Sequence, residues 1–367
     1  MPGTIETTPS CLDAREPGLL HEATALSRIL AECVCVSEVD HVPLTTAHGR
    51  VLAEDVIAPL DVPSGDNSAM DGYALRLQDV SETEATVLRL AGRALAGSPY
   101  GHALQTGECV RIMTGAPVPE GADTVVIQEQ ASEREGLVYL NPGHRQGQNI
   151  RRRGEDLTNG SVVLERGRRI KAADLGLIAS LGIAETPVFR RPRVVLFSTG
   201  DELCPLGDKP RSGQIYDSNR YSLRGLLDGH PVDTLDLGIV PDDPKRLRQI
   251  LEESTRNGDI VLSTGGVSVG EADHVKQVLE ELGEVSFWKI AIKPGRPLAF
   301  GTLGPKTIFF GLPGNPVAAM VTFVRFVRPA LERIAGLTPR NPLTFEVPCV
   351  NALRKGVRRR DHQRSSR

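Results

Sequence analysis

The chain has 367 residues, 24% of them charged, and a formal net charge of −3. That balance argues against a nucleic-acid surface as its main business, since such proteins carry a clear basic excess. No apolar run reaches the ~20 residues needed to cross a bilayer.

The length suits roughly two or three domains, and 37 glycines with 26 prolines point to many turns. Residues 1–18 read as a polar tail without the apolar core of a signal peptide. From Leu19 to Val36 the apolar residues Leu20, Ala23, Leu26, Ile29, Leu30 and Cys33 recur at helical spacing, so a helix is expected. Residues 50–58 read as a strand entering the Pro/Gly-rich turn 59–67. From about 70 to 155, short β-like runs alternate with turns, the pattern of a small all-β module. Residues 171–183 return to helix.

After TPVFRRPR the texture changes. VVLFSTG is a buried strand run, 217–228 looks helical, and VDTLDLGIV is a strand followed by the helix DDPKRLRQILEES. DIVLSTGG and ADHVKQVLEELG repeat the pattern. KTIFFGLPG ends another strand, and a long helix starts at Asn315-Pro316. Strands alternating with helices imply an α/β fold with a mostly parallel sheet covered on both faces. The cysteines (Cys11, Cys33, Cys35, Cys109, Cys204, Cys349) lack paired zinc spacing. Cys33 and Cys35 fall in a predicted helix, where the two thiols diverge. They fit small buried hydrophobes in a reducing cytoplasm.

Ligands of such sheets bind at the carboxyl ends of the strands. Four loops are placed there and share a character. One holds Ser198, Thr199, Gly200, Asp201 and Glu202. Another holds Ser263, Gly265, Gly266, Ser268 and Gly270, then Glu271 and Asp273. A third runs from Lys289 through Lys293, Pro294 and Arg296. The last contains Pro313 and Asn315, with Asn315 as helix N-cap and Pro316 at the first helical position. Hydroxyls, glycine amides and a helix N-terminus offer donors to phosphate oxygens. Asp201, Glu202 and Asp273 suit a hard cation such as Mg²⁺. Lys289, Lys293 and Arg296 supply positive charge for a second anion. The plainer reading of Asp273 is a carboxylate favouring its helix dipole.

NSAMDGYA (67–74), RIMTGAPVP (111–119), NIRRRGED (149–156), STGDEL (198–203), STGGVSVGEAD (263–273), KPGRP (293–297) and GLPGNPVAAMVTF (311–323) together resemble the molybdopterin molybdenumtransferase family. These are the MoeA-type enzymes, similar to the E domain of plant and animal molybdenum-cofactor synthases. The resemblance runs in order from about Leu19 to Leu337. It implies an enzyme that takes adenylylated molybdopterin and molybdate and yields molybdenum cofactor plus AMP, with a divalent cation, usually Mg²⁺. It carries functional roles onto Asp71, Asp156, Glu202, Asp242 and Asp273, and onto Thr114, Arg151, Lys289 and Lys293. No cysteine nucleophile is needed, because the dithiolene sulfurs belong to the substrate. Taken by themselves, Asp71 reads equally as turn chemistry, Asp242 as the cap of the helix 242–255, and Arg151–Arg153 with Asp156 as a solvated charged strand. His274 reads as a surface residue.

The resemblance further implies a cytoplasmic homodimer, with the molybdopterin adenylyltransferase as a candidate partner and neither nucleic acid nor membrane. Residues 19–60 and 157–188 would form a discontinuous domain, with the β module 61–156 inserted. Residues 189–337 would be the α/β molybdopterin-binding domain and 338–367 a truncated C-terminal β-barrel. The active cleft would combine the α/β domain of one subunit with the β module of the other. In the C-terminal segment RRRDHQR (358–364) resembles the family's Gly-Arg-x-x-Phe-x-Arg stretch and aligns Arg364 with an arginine of the molybdate pocket, but the following serine-bearing strand is absent. A molybdopterin-nucleotide-binding or scaffold protein is the alternative reading. A related nucleotide-hydrolysing enzyme on the same α/β domain would have no need of NSAMDGYA.

Overall fold

The computed structural model describes residues 19–265 and 273–339, positions 343 and 345, and the backbone of 360–361, with backbone alone at 273–275. The expected tail 1–18 and most of the expected C-terminal barrel therefore lie outside the described residues. The chain divides into two compact units. One comprises residues 1–54, 166–175 and 184–367, the other 55–165 and 176–183.

Among the described residues the larger unit is built on a seven-stranded sheet. Its strands, in spatial order, are Leu19–Leu20, Gly283–Ile290, Pro297–Leu303, Thr307–Leu312, Ile260–Thr264, Arg193–Thr199 and Asp233–Val240. The pairings from Thr307–Leu312 to Asp233–Val240 are parallel, as the alternating pattern predicts. Pro297–Leu303 is antiparallel to both its neighbours. The sequence reading had no strand at 283–290 or 297–303, because GEVSFWKI mixes polar and apolar residues and its hairpin partner begins at a proline.

Residues 194 to 197 explain why the sheet is covered on both sides. Successive side chains of a strand point to opposite faces. Val194 and Leu196 join a core with Leu262, Phe310 and the helices Glu22–Glu32 and Ser218–Asp228. Val195 and Phe197 join a second core with Val261, Phe309 and the helix Pro244–Asn257. A strand apolar on both faces needs a helix layer on each.

The first helix is shorter than its periodicity suggests. Leu19–Leu20 is instead an edge strand pairing in parallel with Lys289–Ile290, and the helix spans Glu22–Glu32 with Cys33 as C-cap. Cys33 and Cys35 thus stand beyond the helix rather than within it. Val34 and Cys35 are poor helix formers, and the chain turns extended at Cys33 (ψ 114°). Cys33 is buried against the sheet while Val34 is exposed, so the alternation there is that of extended chain. Burial pushes the Cys33 and Cys109 thiols up to about 12. Cys33, Cys35, Cys109 and Cys204 are all free, in keeping with thiols that serve packing.

The long helix expected from Asn315-Pro316 runs as Pro316–Thr322, a π-helical turn Phe323–Val327 and Arg328–Ile334. The smaller unit contains the expected all-β module. It is a six-stranded sheet drawn from Gly72–Leu75, Thr86–Ala94, Glu108–Ile112, Thr124–Ile127, Ala131–Arg134 and Leu137–Leu140. No described helix is long and apolar enough to cross a membrane.

Because Ile29 is fully buried in the core of the larger unit, Ile29→Ala should cost about 2–5 kcal/mol of stability. Val34→Ala, at a side chain 78% exposed, should stay within about 0.5 kcal/mol. Urea denaturation of the two variants checks both, and equal midpoints would mean the helix does not belong to this core.

Candidate functional site

The parallel strands Arg193–Thr199, Ile260–Thr264 and Thr307–Leu312 end side by side. Their carboxyl ends open into the loops at Gly200, Gly265 and Pro313. Asp233–Val240 delivers Asp242 to the same edge. Gly283–Ile290 runs in the same direction and its return strand Pro297–Leu303 runs against it, so the turn 291–296 also falls on this edge. Topology therefore gathers the four loops singled out from sequence. One detail differs: Lys289 lies within the strand rather than in the loop.

Backbone conformation accounts for two of the glycines. Gly265 has φ +89°, and a Cβ there would sit 2.2 Å from the carbonyl oxygen of Thr199. Gly295 has φ +102°, and a Cβ would meet Thr322 Oγ1 of the following helix at 2.8 Å. Any larger residue would force these loops off the strand ends and the helix they pack against. Gly266, Ser268, Gly270 and Glu271 lie outside the described residues, as do Arg364 and the side chain of Asp273. The backbone places Asp273 at the start of the helix Asp273–Leu282.

A polar network ties the strand ends together. Ser198, fully buried, donates from Oγ to Asp217 Oδ1 at 3.0 Å. Asp217 is the N-cap of Ser218–Asp228, accepting from the Arg220 amide, while Arg220 Nε donates to its other oxygen at 2.8 Å. Asn219 donates from Nδ2 to Thr264 Oγ1 at 2.9 Å and to the Gly314 carbonyl at 2.8 Å. Thr264 in turn donates to the Pro313 carbonyl at 3.4 Å. The hydroxyl of Thr199 and Oδ1 of Asn219 are buried without a hydrogen-bond partner. Asn315 caps its helix as expected, accepting from the Ala318 amide at 3.1 Å. Sequence reasoning missed Asp217 and Asn219. The signal was there, since Asp-Ser-Asn opening a helix is capping chemistry.

Charge is sorted along the edge. Asp201, Glu202 and Asp242 meet at one end, where the Asp242 amide approaches Asp201 Oδ1 at 3.5 Å. Burial pushes the Asp242 carboxyl above its usual range, and the negative charges of Asp201 and Glu202 push it further. The helix cap is Asp243, which accepts from the Lys245 amide at 3.1 Å, so Asp242 is not spent on capping. Hard oxygen donors with like charges suit a divalent cation in their chemistry. Among the described residues no three ligating side chains are already arranged around one metal position. At the other end Lys289 and Lys293 are exposed and Pro294 and Arg296 are half-buried. Ile292–Lys293 pairs in parallel with Arg360–Asp361.

The smaller unit has its own convergence. Asn67–Ser68 pairs antiparallel with Ile150–Arg151, and the Gly115 amide donates to the Ser68 carbonyl at 2.8 Å. Three motifs distant in sequence thus share one corner. Asp71 Oδ1 accepts from both the hydroxyl and the amide of Thr114, each at 2.7 Å. Those bonds, with Arg111 nearby, hold the Asp71 carboxyl below its ordinary range. Asp71 therefore joins two loops rather than serving only its own turn. Arg151 and Asp156 are 3.5 Å apart with both side chains about half exposed (49% and 48%), a pair of the kind that adds little stability.

Two family models match successive parts of the chain. Residues 20–182 match the family model described as "MoeA N-terminal region (domain I and II)", and residues 195–333 match "Probable molybdopterin binding domain". A molybdopterin molybdenumtransferase of Haemophilus influenzae is 44% identical over 342 residues, covering 93% of this chain and 84% of that one. One from Nostoc is 37% identical, covering 88% and 75%. The crystal structure of a molybdopterin biosynthesis moeA protein from Pyrococcus horikoshii is similar with TM-score 0.78 at 30% identity, covering 87% and 80%.

For Asp242 the direction of the shift fixes a pH dependence. Its folded state holds the proton more tightly than the unfolded chain, so stability falls as pH rises from the unfolded value of 3.8 through the raised folded one. Above that window Asp242→Asn should melt higher than the parent in metal-free buffer, and added Mg²⁺ should narrow the gap. A lower melting temperature for the variant would mean that the three acids do not repel.

Proposed function

Because the chain belongs to the molybdopterin molybdenumtransferase family, enzymes of molybdenum cofactor biosynthesis, we propose that it inserts molybdenum from molybdate into adenylylated molybdopterin, releasing AMP in a divalent-cation-dependent reaction. The observation that carries the reading is the gathering of four loops at one sheet edge, with acids at one end and cations at the other. Amides of the loops 198–200 and 263–270, with those at Gly314 and Asn315, would hold the phosphate groups, while the Ser198 hydroxyl, engaged with Asp217, and the ring of Pro313 shape the loops that present them. Donors held in place before a ligand arrives lose nothing in reorganisation when charge develops. Asp201, Glu202 and Asp273 would hold Mg²⁺, which neutralises charge on the phosphoanhydride when bound. Asp242 adds a carboxylate beside them. Lys289 and Lys293 would hold the molybdate oxyanion as point charges and Arg296, with Arg364, as guanidinium donors, while Pro294 shapes the turn between the two lysines and the arginine.

Asp71, Thr114, Arg151 and Asp156 are proposed as further functional residues. Support comes from the double hydrogen bond between Asp71 and Thr114, which keeps the carboxylate ionised and fixed. The same proposal includes a cytoplasmic homodimer of four-domain subunits, with the domain limits given by the resemblance. The molybdopterin adenylyltransferase is its candidate supplier of substrate.

The decisive experiment is metal-dependent AMP release from adenylylated molybdopterin with added molybdate. Binding without release would favour a scaffold. Asp273→Asn keeps the side-chain shape, removes its charge, and should largely abolish release with the melting temperature retained. Full activity at ordinary Mg²⁺ would remove Asp273 from the metal set. Lys293→Ala should raise the molybdate concentration needed for half-maximal release, with little change in melting temperature. A collapse of the fold in that variant would instead make the lysine structural.

A further inference from the structure

Asn219 does not belong to any of the motifs that carry the resemblance, yet it touches two of their loops at once. Its Nδ2 makes two donations, to Thr264 Oγ1 at 2.9 Å and to the carbonyl of Gly314 at 2.8 Å. Thr264 ends the strand Ile260–Thr264 and precedes Gly265. Gly314 precedes Asn315, the cap of the next helix. Both hydrogens of one planar amide are used, and the bonds span 45 and 95 residues of sequence. The amide is itself fixed in place. Asn219 stands in the first turn of a helix whose cap, Asp217, is held by the buried Ser198 hydroxyl on the neighbouring strand.

The third polar atom of this side chain makes the arrangement costly. Oδ1 is buried and has no hydrogen-bond partner among the described residues, and the residue is only 9% exposed. A buried unsatisfied acceptor forfeits its hydration without compensation. An apolar residue here would leave the Gly314 carbonyl and the Thr264 hydroxyl without this donor, so the amide's two bonds point to positioning.

We propose that Asn219 is a positioning residue that sets the gap between the Thr264–Gly265 loop and the Gly314–Asn315 loop, and so the spacing of the amide donors that hold the substrate's phosphate groups. It acts through the two loops and does not itself touch the reacting atoms. The inference rests on the proposed function for the identity of the ligand, and goes beyond it in naming the residue that fixes the site's width. Without the clasp the loops are joined, among the described residues, only by the Gly265 amide to the Leu312 carbonyl at 3.3 Å and the Thr264 hydroxyl to the Pro313 carbonyl at 3.4 Å. They can then shift, and donors displaced by a fraction of an ångström lose their alignment with the phosphate oxygens.

The test is equilibrium binding and steady-state AMP release with the full chain, well below its melting temperature. Asn219→Ala removes the donors and the unsatisfied acceptor together. Asn219→Asp keeps the shape but places a carboxylate against the Gly314 carbonyl. Both should raise the dissociation constant and KM for adenylylated molybdopterin about tenfold or more, with kcat changing less. The molybdate requirement should stay at the parent value, because Lys289 and Lys293 lie on other strands. Thr264→Val cuts the Asn219–Thr264 tie together with the longer Thr264–Pro313 bond and should give a smaller loss than Asn219→Ala, and adding it to Asn219→Ala should cost little more. Unchanged binding in folded Asn219→Ala overturns the proposal. So does a loss that appears only as a lower melting temperature with normal KM, which would make the residue merely structural. Should either variant fail to fold, Thr264→Val alone decides, since it leaves Asn219 and its tie to Gly314 in place: normal KM there sinks the clasp. If the parent chain neither binds nor turns over adenylylated molybdopterin, the functional reading fails first and the clasp falls with it.

Discussion

Everything at this site follows from the burial of three strands on both faces. Val194 to Phe197, Ile260 to Leu262 and Ile308 to Phe310 are apolar at successive positions, so helices must cover each side of the sheet. Helices cannot cover the sheet's end. The polar backbone of the connecting loops has to emerge there, and parallel strands send all their carboxyl ends the same way. Glycines, hydroxyls and charged residues collect at one edge because packing has excluded them from elsewhere.

The edge is then made specific by ties that the packing does not dictate. Ser198 with Asp217, and Asn219 with Thr264 and Gly314, link loops on adjacent strands through side-chain hydrogen bonds. Close contacts such as that of Gly265 with the Thr199 carbonyl leave no room for a Cβ. Hydrogen bonds among buried groups gain strength from the low dielectric around them, and for the same reason an unsatisfied atom there is expensive. The buried hydroxyl of Thr199 and the amide oxygen of Asn219 have no hydrogen-bond partner among the described residues at this edge.

Sequence made the strand–helix alternation after residue 193 legible because period and apolar content agree there. It also made the four loops legible, since glycine, proline and charge cluster where a strand ends. What it hid has physical causes. The hairpin Gly283–Leu303 was missed because Gly283–Ile290, covered on its outer side only at Lys289–Ile290, carries polar residues that blur the two-residue period, and its return strand opens with a proline. The first helix was drawn too long because Leu20 and Cys33 match its spacing while belonging to extended chain. The dual role of Asp71 and the freedom of Asp242 from capping depend on a neighbour 43 residues away and on the residue next door, respectively. Local pattern holds neither fact.

The sorting of charge along the edge constrains the ligand. Asp201, Glu202 and Asp242 follow Arg193–Thr199 and Asp233–Val240, whereas Lys293 and Arg296 sit between Gly283–Ile290 and Pro297–Leu303. Three to four strand spacings separate Arg193–Thr199 from that hairpin in the sheet order, which at ~4.8 Å each is about 14–19 Å. No single small oxyanion reaches both ends. On the proposed function, a ligand that engages the acids at one end and the lysines at the other has to be elongated, with its phosphates over the strand ends of Ile260–Thr264 and Thr307–Leu312 in between. A pterin joined through phosphates to a nucleoside has that shape. In the role proposed for Asn219, the width of the central gap would set where along its length such a ligand is gripped.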